Sequence, residues 1–326
     1  MQIADIADTG YTAITMVKNE AAYILEWVAH HFALGFGHLV VQYNDCDDPT
    51  QRMLERLAAV TGGRVHPRET LIRSGGIQRS ALRQAARLDI VREADRIYVC
   101  DIDEFLTVAI GDGSVQALVA ASPEADVITV PWRIYGPCGV VGFRDERVTV
   151  QFPLAEHPER KGAAKFGKSV SMGHERFKRL GTHAPVAPED LDPPLIVVHP
   201  GGAPAEGRAG FEIAQVNHYA LRSVDAYLVK RDRGRVNHMS QTMGLDYWNR
   251  FNHSDVPDDR IRRYDAAVVP LLEELKSDPQ LAVLHRKSVR WHRRKPRMLL
   301  RDPAFREMHD AILETLPGAA SVHPEP

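Results

Sequence analysis

The chain has 326 residues, of which 44% are apolar, 26% charged and 7% aromatic. This balance excludes a disordered chain and suits a globular protein long enough to bury a full core. Lys and Arg number 41 against 43 Asp and Glu, for a net charge of −2, which excludes a global attraction to nucleic acid and leaves any anionic partner to a local basic patch. Three scattered cysteines, Cys46, Cys100 and Cys138, exclude a disulfide framework and fit a reducing cytoplasm. No apolar run approaches the ~18 residues of a membrane span. The opening residues, acidic and without Lys or Arg, do not read as a secretory leader.

Strand and helix patterns alternate through the first half. Thr12–Val17 reads as a strand that breaks at Lys18-Asn-Glu20. A helix follows with Ile24, Leu25, Val28 and Phe32 on one face, ended by Gly35 and Gly37. His38–Tyr43 is the next strand and breaks at Asn44-Asp-Cys-Asp-Asp-Pro49. A helix carrying Met53, Leu54 and Leu57 leads to a weak strand around Val65. A helix is expected from Gln78 to Glu93, then a strand Arg96–Cys100 that runs into Asp101-Ile-Asp-Glu-Phe105. Strands alternating with helices of this length imply crossover units and a mostly parallel sheet, whose ligands sit outside the carboxyl ends of the strands. Three polar clusters lie there: Asn19-Glu20, Asn44-Asp45 and Asp101-Asp103-Glu104. From Asp126 to Tyr219 the pattern turns to short strands and Pro/Gly-rich loops, with a β-like run at Phe211–Val216. Ser223 reads as an N-cap and Gly234 as the end of its helix. Helices are also expected over Asp258–Lys276, Pro279–Val289 and Pro303–Leu316, and residues 318–326 read as a frayed tail.

No GxGxxG follows the first strand, and there is no GxxxxGK[ST], GxSxG or HExxH. Phosphate charge must therefore be met without a glycine-rich loop, and a divalent metal is the obvious means. Asp-x-Asp alone is weak; it recurs at Asp45/Asp47 and Asp190/Asp192. Only Asp101/Asp103 directly follows a strongly apolar strand. Alternation puts the two on one side of the chain, about 6–7 Å apart. One can then hold Mn²⁺ or Mg²⁺ while the other holds a water or a sugar hydroxyl. The plainer reading is a solvated acidic strand end, although three acids in four residues repel unless a cation is present.

Tyr98-Val-Cys-Asp-Ile-Asp-Glu-Phe-Leu106 resembles the DxDEF strand end of GT-A-type glycosyltransferases, close to families 2 and 92. Thr15-Met-Val-Lys-Asn-Glu20 with Glu26-Trp27 and His30-His31 resembles their opening strand and helix. Trp132-Arg-Ile-Tyr-Gly-Pro-Cys-Gly139 resembles their W-x-x-(F/Y)-G-x-x-G loop. Asn217-His-Tyr219, Ser223, Lys230 and Arg233-Gly234 resemble their late NHY…S…K…RG signature. Together these cover about residues 10–235. The resemblance implies a Rossmann-like GT-A fold with a mostly parallel sheet, a UDP- or GDP-sugar donor and bound Mn²⁺ or Mg²⁺. Asp101 and Asp103 would hold metal and diphosphate; Asn19, Glu20, Asn44 and Asp45 would line the nucleotide. The family often carries a His after the glycine loop, where this chain reads Val140-Val-Gly-Phe-Arg-Asp145.

His218 is a competent third metal ligand or a structural histidine. Lys230 and Arg233 match the family at positions suited to the leaving diphosphate. Arg231 and Arg235 read instead as a solvated helix end. Gln78, Arg79 and Arg83 open the helix before the DxD strand, where Arg79 or Arg83 would reach phosphate. His183 falls where the family shows a Lys and a His near the acceptor. Trp132 either stacks on a sugar or packs in the core. An inverting transfer needs a base for the acceptor proton; Asp145 is preferred over Glu146 and Glu156. Residues 285–301 hold eight Lys or Arg and no acid, a surface for an anionic membrane or glycan, or a solvated face.

The expectation is a GT-A α/β domain over 8–235 and a helical extension over 236–326, in the cytoplasm or peripheral to the inner face of the membrane. Its reaction moves a sugar from a nucleoside-diphosphate sugar to a hydroxyl of a glycan, lipid-linked or small-molecule acceptor, with inversion by resemblance. A nucleotidyltransferase and a non-catalytic nucleotide-sugar- or glycan-binding protein of the same fold are the alternatives.

Overall fold

The computed structural model describes residues 1–73, 75–159, 166–200, 210–234 and 243–316; Arg235 and the tail from residue 318 lie outside them. The first half follows the expected alternation: β1 (Tyr11–Val17), α1 (Ile24–Ala33), β2 (His38–Tyr43), α2 (Thr50–Val60), β3 (Val65–Glu69), α3 (Gly76–Ala85), α4 (Asp89–Arg92), β4 (Arg96–Val99), β5 (Glu104–Val108) and α5 (Val115–Ala120). Then come β6 (Val127–Ile134), α6 (Val148–Gln151), β7 (Leu154–Ala155), β8 (Gly167–Met172), β9 (Val197–Val198) and β10 (Ala214–His218). The chain closes with α7 (Val224–Asp232), α8 (Leu245–Phe251), β11 (Val256–Pro257), α9 (Asp265–Ser277), α10 (Pro279–Leu299) and α11 (Pro303–Glu314).

The strands form one large sheet in the order β3-β2-β1-β4-β8-β6-β10-β5, with β9 beside β6. The pairs among β1 to β4 are parallel, as is β6 with β10, whereas β8 runs antiparallel to both neighbours and β5 antiparallel to β10. Only residues 100–103 separate β4 from β5, and the Glu104 N–H turns back onto the Asp101 carbonyl at 3.1 Å. That tight link spans far less than the four spacings of about 4.8 Å between these strands in a flat sheet. The sheet therefore curls, and the DxD segment is the short bridge between its middle and its far edge.

Strand alternation sends Ala13, Val17, Tyr98 and Cys100 into one apolar cluster under α1 and α9. Ile14, Met16, Ile97 and Val99 enter a second cluster under α3. The sheet is thus covered on both faces, as a parallel sheet requires. Gly35 ends α1 with φ +104°, and a Cβ there would meet Gln116 Oε1 of α5, so only glycine lets these two elements close up.

The helix expected over 78–93 is broken into α3 and α4. Leu88 adopts an extended backbone (ψ 135°) between them, which keeps Leu82, Ala85 and Val91 all buried. The helix expected over 258–276 begins as a 3₁₀ turn, Arg260–Tyr264, before α9. The one expected over 279–289 extends to Leu299, because His292 and Pro296 also face the body of the protein. Neither β5 nor α8 was expected. The C-terminal helices pack on α1, α2 and α7 and share their apolar cluster. The architecture is the expected mixed α/β one, a mostly parallel sheet followed by C-terminal helices.

Candidate active site

The carboxyl ends of β1, β2 and β4 converge on a cavity of about 330 Å³, bordered by Lys18, Asn44, Asp101 and Asp103. Gln78 of α3, Lys168 of β8, His218 of β10 and Lys230 and Arg233 of α7 complete its polar wall. Met243, Tyr247, Arg250 and Phe251 arrive from the C-terminal part and face Trp132 and Phe166.

Asp101 Oδ2 lies 2.9 Å from Lys168 Nζ, which also reaches Glu104 Oε2 at 3.1 Å. Burial would lower the Lys168 ammonium, but the two carboxylates outweigh it and hold the group cationic. Burial pushes the Glu104 carboxyl up to about 8 against the attraction of Lys168. Asp103 Oδ2 lies 2.6 Å from Lys230 Nζ, which also donates to the Ala220 carbonyl at 2.7 Å. Burial acts to raise the Asp103 carboxyl; Lys230 first, then His218 and Arg222, hold it well below the ordinary carboxylate range. His218 Nε2 stands 3.8 Å from Asp103 Oδ1, and burial takes its imidazole down to about 4, so it is neutral near pH 7.

His218 is placed by register. β10 pairs with β5 so that His218 sits opposite Glu104, and the next N–H, of Tyr219, donates to the Asp103 carbonyl at 2.8 Å. Lys230 and Arg233 are placed by α7, whose N-cap Ser223 accepts from the Ala226 N–H as expected. Two carboxylates and a neutral imidazole around one cavity suit a hard divalent cation in donor chemistry. Among the described residues, however, no group of three such side chains stands ready to hold a metal. Asp103 and His218 supply a pair, with Asp101 bordering the same space.

The remaining expected residues are distributed unevenly. Asn44 and Gln78 border the cavity. Asn19 is buried, with φ +56°, and its Oδ1 accepts from the Asp47 N–H at 2.7 Å, tying the end of β1 to the end of β2. Glu20 is buried beneath the cavity floor. Arg222 reaches it at 2.7 Å, and Arg233 pairs with it as well. These cations hold its carboxyl below the ordinary range despite burial. Asp45 is exposed and 3.9 Å from Lys18. Arg79 and Arg83 are exposed on α3 and do not border the cavity.

None of the three carboxylates weighed as base borders the cavity. Asp145 is exposed and bonded to His285 of α10 at 2.9 Å, and Glu146 is exposed. Glu156 is buried, with Oε1 facing the Ile134 N–H at 3.4 Å. His183 does border it, and its Nδ1 lies 2.9 Å from the Gly167 carbonyl. Trp132 is both core and wall, at 9% exposure and 4.5 Å from the His218 ring. The sequence reading assigned no partner to Lys168 and passed over Arg222. The signal for Arg222 was its position between the NHY motif and the Ser223 cap.

No family model matches this chain. A curated relative, the glycosyltransferase family 92 protein RCOM_0530710 of Ricinus communis, is 25% identical over 236 residues, 67% of this chain and 36% of the relative. The chain spans about a third of that relative's length. Among solved structures, the mannosyltransferase PcManGT from Pyrobaculum calidifontis, in complex with GDP-Man and Mn²⁺, is 14% identical. It covers 95% of this chain and 87% of its own, with a TM-score of 0.37. S. aureus TarS 1-349 in complex with UDP is 12% identical over 50% of this chain and 46% of its own, at a TM-score of 0.30. Over two thirds of its length, then, this chain is similar to a family 92 glycosyltransferase, the family that the DxDEF strand end resembles.

Proposed function

We propose that this protein transfers a sugar from a nucleoside-diphosphate sugar to an acceptor hydroxyl, with inversion at the sugar carbon. The observation that carries this reading is the Asp101/Asp103 pair at the carboxyl end of β4, facing a cavity whose other walls hold Lys168, Lys230, Arg233 and His218. A carboxylate pair interleaved with fixed cations suits a ligand that is anionic at its diphosphate and polar at its sugar. Lys230 and Arg233 would meet the developing charge on the leaving diphosphate. Asn44 and Gln78 would bind the nucleoside portion. Trp132, Phe166, Tyr247 and Phe251 would offer apolar faces to sugar rings and exclude water.

Asp103 and His218, with Asp101, would hold Mn²⁺ or Mg²⁺ together with substrate phosphate oxygens. Such an ion supplies Lewis-acid stabilisation of the leaving group. For the proton of the acceptor hydroxyl we assign His183 in place of Asp145. A carbonyl can only accept, so the contact with Gly167 makes Nδ1 the protonated nitrogen and leaves the Nε2 lone pair free. Burial and the Lys168 cation lower its pKa, which keeps the imidazole in its basic form near pH 7.

The test is thermal stability against UDP, GDP, CDP and their sugars, with and without Mn²⁺, on wild type and Asp103→Asn. A ligand at 100 times its Kd stabilises by about 2.7 kcal/mol. A metal-dependent shift for one nucleotide, absent in the variant and accompanied by nucleoside diphosphate release with an acceptor, is the expected result. Pyrophosphate release would make the chain a nucleotidyltransferase. Binding without turnover would make it a sensor of the same ligand, and no shift with any nucleotide would end the reading.

A further inference from the structure

The longest helix presents a charged face that the transferase reading does not use. α10 runs 21 residues, about 30 Å, and no Asp or Glu occurs from residue 279 to 301. Arg286, Arg290, Arg293 and Arg297 follow one another at helical spacing and are all exposed; Lys287 and Arg294 flank them, and Arg301 extends the row past the helix end. None of these seven cations forms an ion pair within 4 Å among the described residues. The helix's Lys295 does, 2.7 Å from Asp232. Asp145, bonded to His285, and Asp225 sit at the margins, within electrostatic reach of Arg293 and Arg297. The opposite face, with Ser288, Val289, His292 and Pro296, is buried where the helix packs on α2, α7 and α9.

Charge alone does not choose between a soluble polyanion and a lipid surface. The apolar side chains do. Val283 and Met298 are 41% and 44% exposed, each four residues from a flanking cation, Lys287 or Arg294. Trp291, half-buried, lies four residues beyond Lys287 at the edge of the same face. Cations along a helix with an aromatic and apolar side chains at its border is the pattern of a helix lying in the headgroup plane. A sugar chain or nucleic acid would leave Val283 and Met298 in water.

We propose that this face of α10 docks the protein on an anionic lipid bilayer. The docked helix is joined to the cavity by α7. Lys295 holds Asp232, and the next residue, Arg233, is a cavity wall. Docking would therefore hold α7, and the cavity wall that it carries, behind the docked helix. The inference does not depend on which reaction the cavity performs.

The experiment is co-sedimentation of the full chain with vesicles of phosphatidylcholine, with and without phosphatidylglycerol. Wild type should bind only the anionic vesicles and be released by salt. At about five-fold in partition per surface cation, the exposed-residue variant Arg286→Gln/Arg290→Gln/Arg293→Gln/Arg297→Gln should lose binding by about several hundred-fold while its melting curve stays that of wild type. Val283→Ser/Met298→Ser keeps every charge and should still weaken vesicle binding severalfold. Equal binding to neutral vesicles, no binding to anionic ones, or undiminished binding by the fourfold variant would overturn the proposal. Unchanged binding by the Val283/Met298 variant, with dextran sulfate displacing the protein from vesicles, would reassign the face to soluble polyanions. Nucleotide-dependent thermal shifts in the fourfold variant should match wild type, so failure here is distinguishable from failure of the transferase reading.

Discussion

Lys168 is the most committed side chain in the site. It is 1% exposed and lies within 3.1 Å of two carboxylates. Removing one partner of a buried ion pair leaves the other charge uncompensated, at a cost of about 3–5 kcal/mol. Lys168→Met is therefore expected to lower stability by about that amount, measured by urea denaturation at pH 9, where Glu104, raised to about 8, is ionised. A loss under 1 kcal/mol would mean that Glu104 is protonated and Asp101 hydrated without it. His183 makes the opposite prediction. It sits at the open mouth of the cavity, so His183→Ala should leave the melting temperature and the nucleotide-induced shift in place while turnover falls about 10²–10⁴-fold. Full activity in that variant would return the base to another group. These residues also mark where sequence reading reaches its limit. Asp101 and Asp103 were legible from their chemistry at the end of an apolar strand, but not from strand alternation: they lie in the turn that links β4 to β5. Lys168 was not legible as their counter-ion, because β8 joins β4 only through the tertiary pairing.

At the scale of elements, α7 is the clearest link between sequence signal and site. Ser223 caps it and Arg233 closes it, with Lys230 and Arg233 facing the cavity. Loss of an N-cap costs about 1 kcal/mol. Ser223→Ala should therefore lower the melting temperature modestly and weaken nucleotide binding, because the last turn carries both cations. Unchanged nucleotide affinity would show that the sheet, not the cap, sets their positions. Strands β1 to β4 and helices α1 and α2 were legible because apolar periodicity and breaker residues agree there. β5 was not, because its five residues follow a polar turn directly and its partner β10 lies about a hundred residues downstream. α8 was missed for a related reason. It is seven residues long and lacks a side-chain cap, yet its Tyr247, Arg250 and Phe251 close the cavity. The glycine loop was legible as a motif, and its physical reason appears only in the fold: a Cβ at Gly136 would meet the His253 carbonyl at 2.3 Å.

For the molecule as a whole, buried histidines set the acid limit. Burial takes His30 and His66 down to about 4 and His31 further. Folded, these groups refuse protons that the unfolded chain accepts near pH 6.5. Their contribution is present above that pH and is lost as pH falls toward 4. Glu104, raised to about 8, works in the other direction, its contribution fading as pH rises from its ordinary value to about 8. With His218 also held near 4, these histidines outnumber the raised carboxyls of Glu104, Glu26 and Asp225, and the melting temperature should fall from pH 6.5 to pH 4.5. His66→Gln should flatten that fall, since its partner His38 Nδ1 is 3.0 Å away and a glutamine keeps a polar group there. A melting temperature that rises on acidification would contradict the burial of these rings as neutral species. The same scale bears on organisation. The sequence suggested a GT-A domain over 8–235 and a helical extension over 236–326; Met243, Tyr247, Arg250 and Phe251 of the latter stretch form one wall of the cavity.

The curl of the sheet has a consequence in time. β5 leaves the ribosome immediately after β4, but the strand that pairs with it, β10, emerges about a hundred residues later. At synthesis rates of about 5–20 residues per second, that interval lasts roughly 5–20 s. Throughout it the two aspartates stand in the turn beside an edge strand with an open hydrogen-bonding side, and the lysines that neutralise them do not yet exist or have not yet docked. A nascent chain halted near residue 150 would thus display one of its most acidic segments beside an unpaired strand. The edge-strand hazard of this protein belongs to its synthesis, and the arrival of Lys168, His218 and Lys230 ends it by the same contacts that assemble the site.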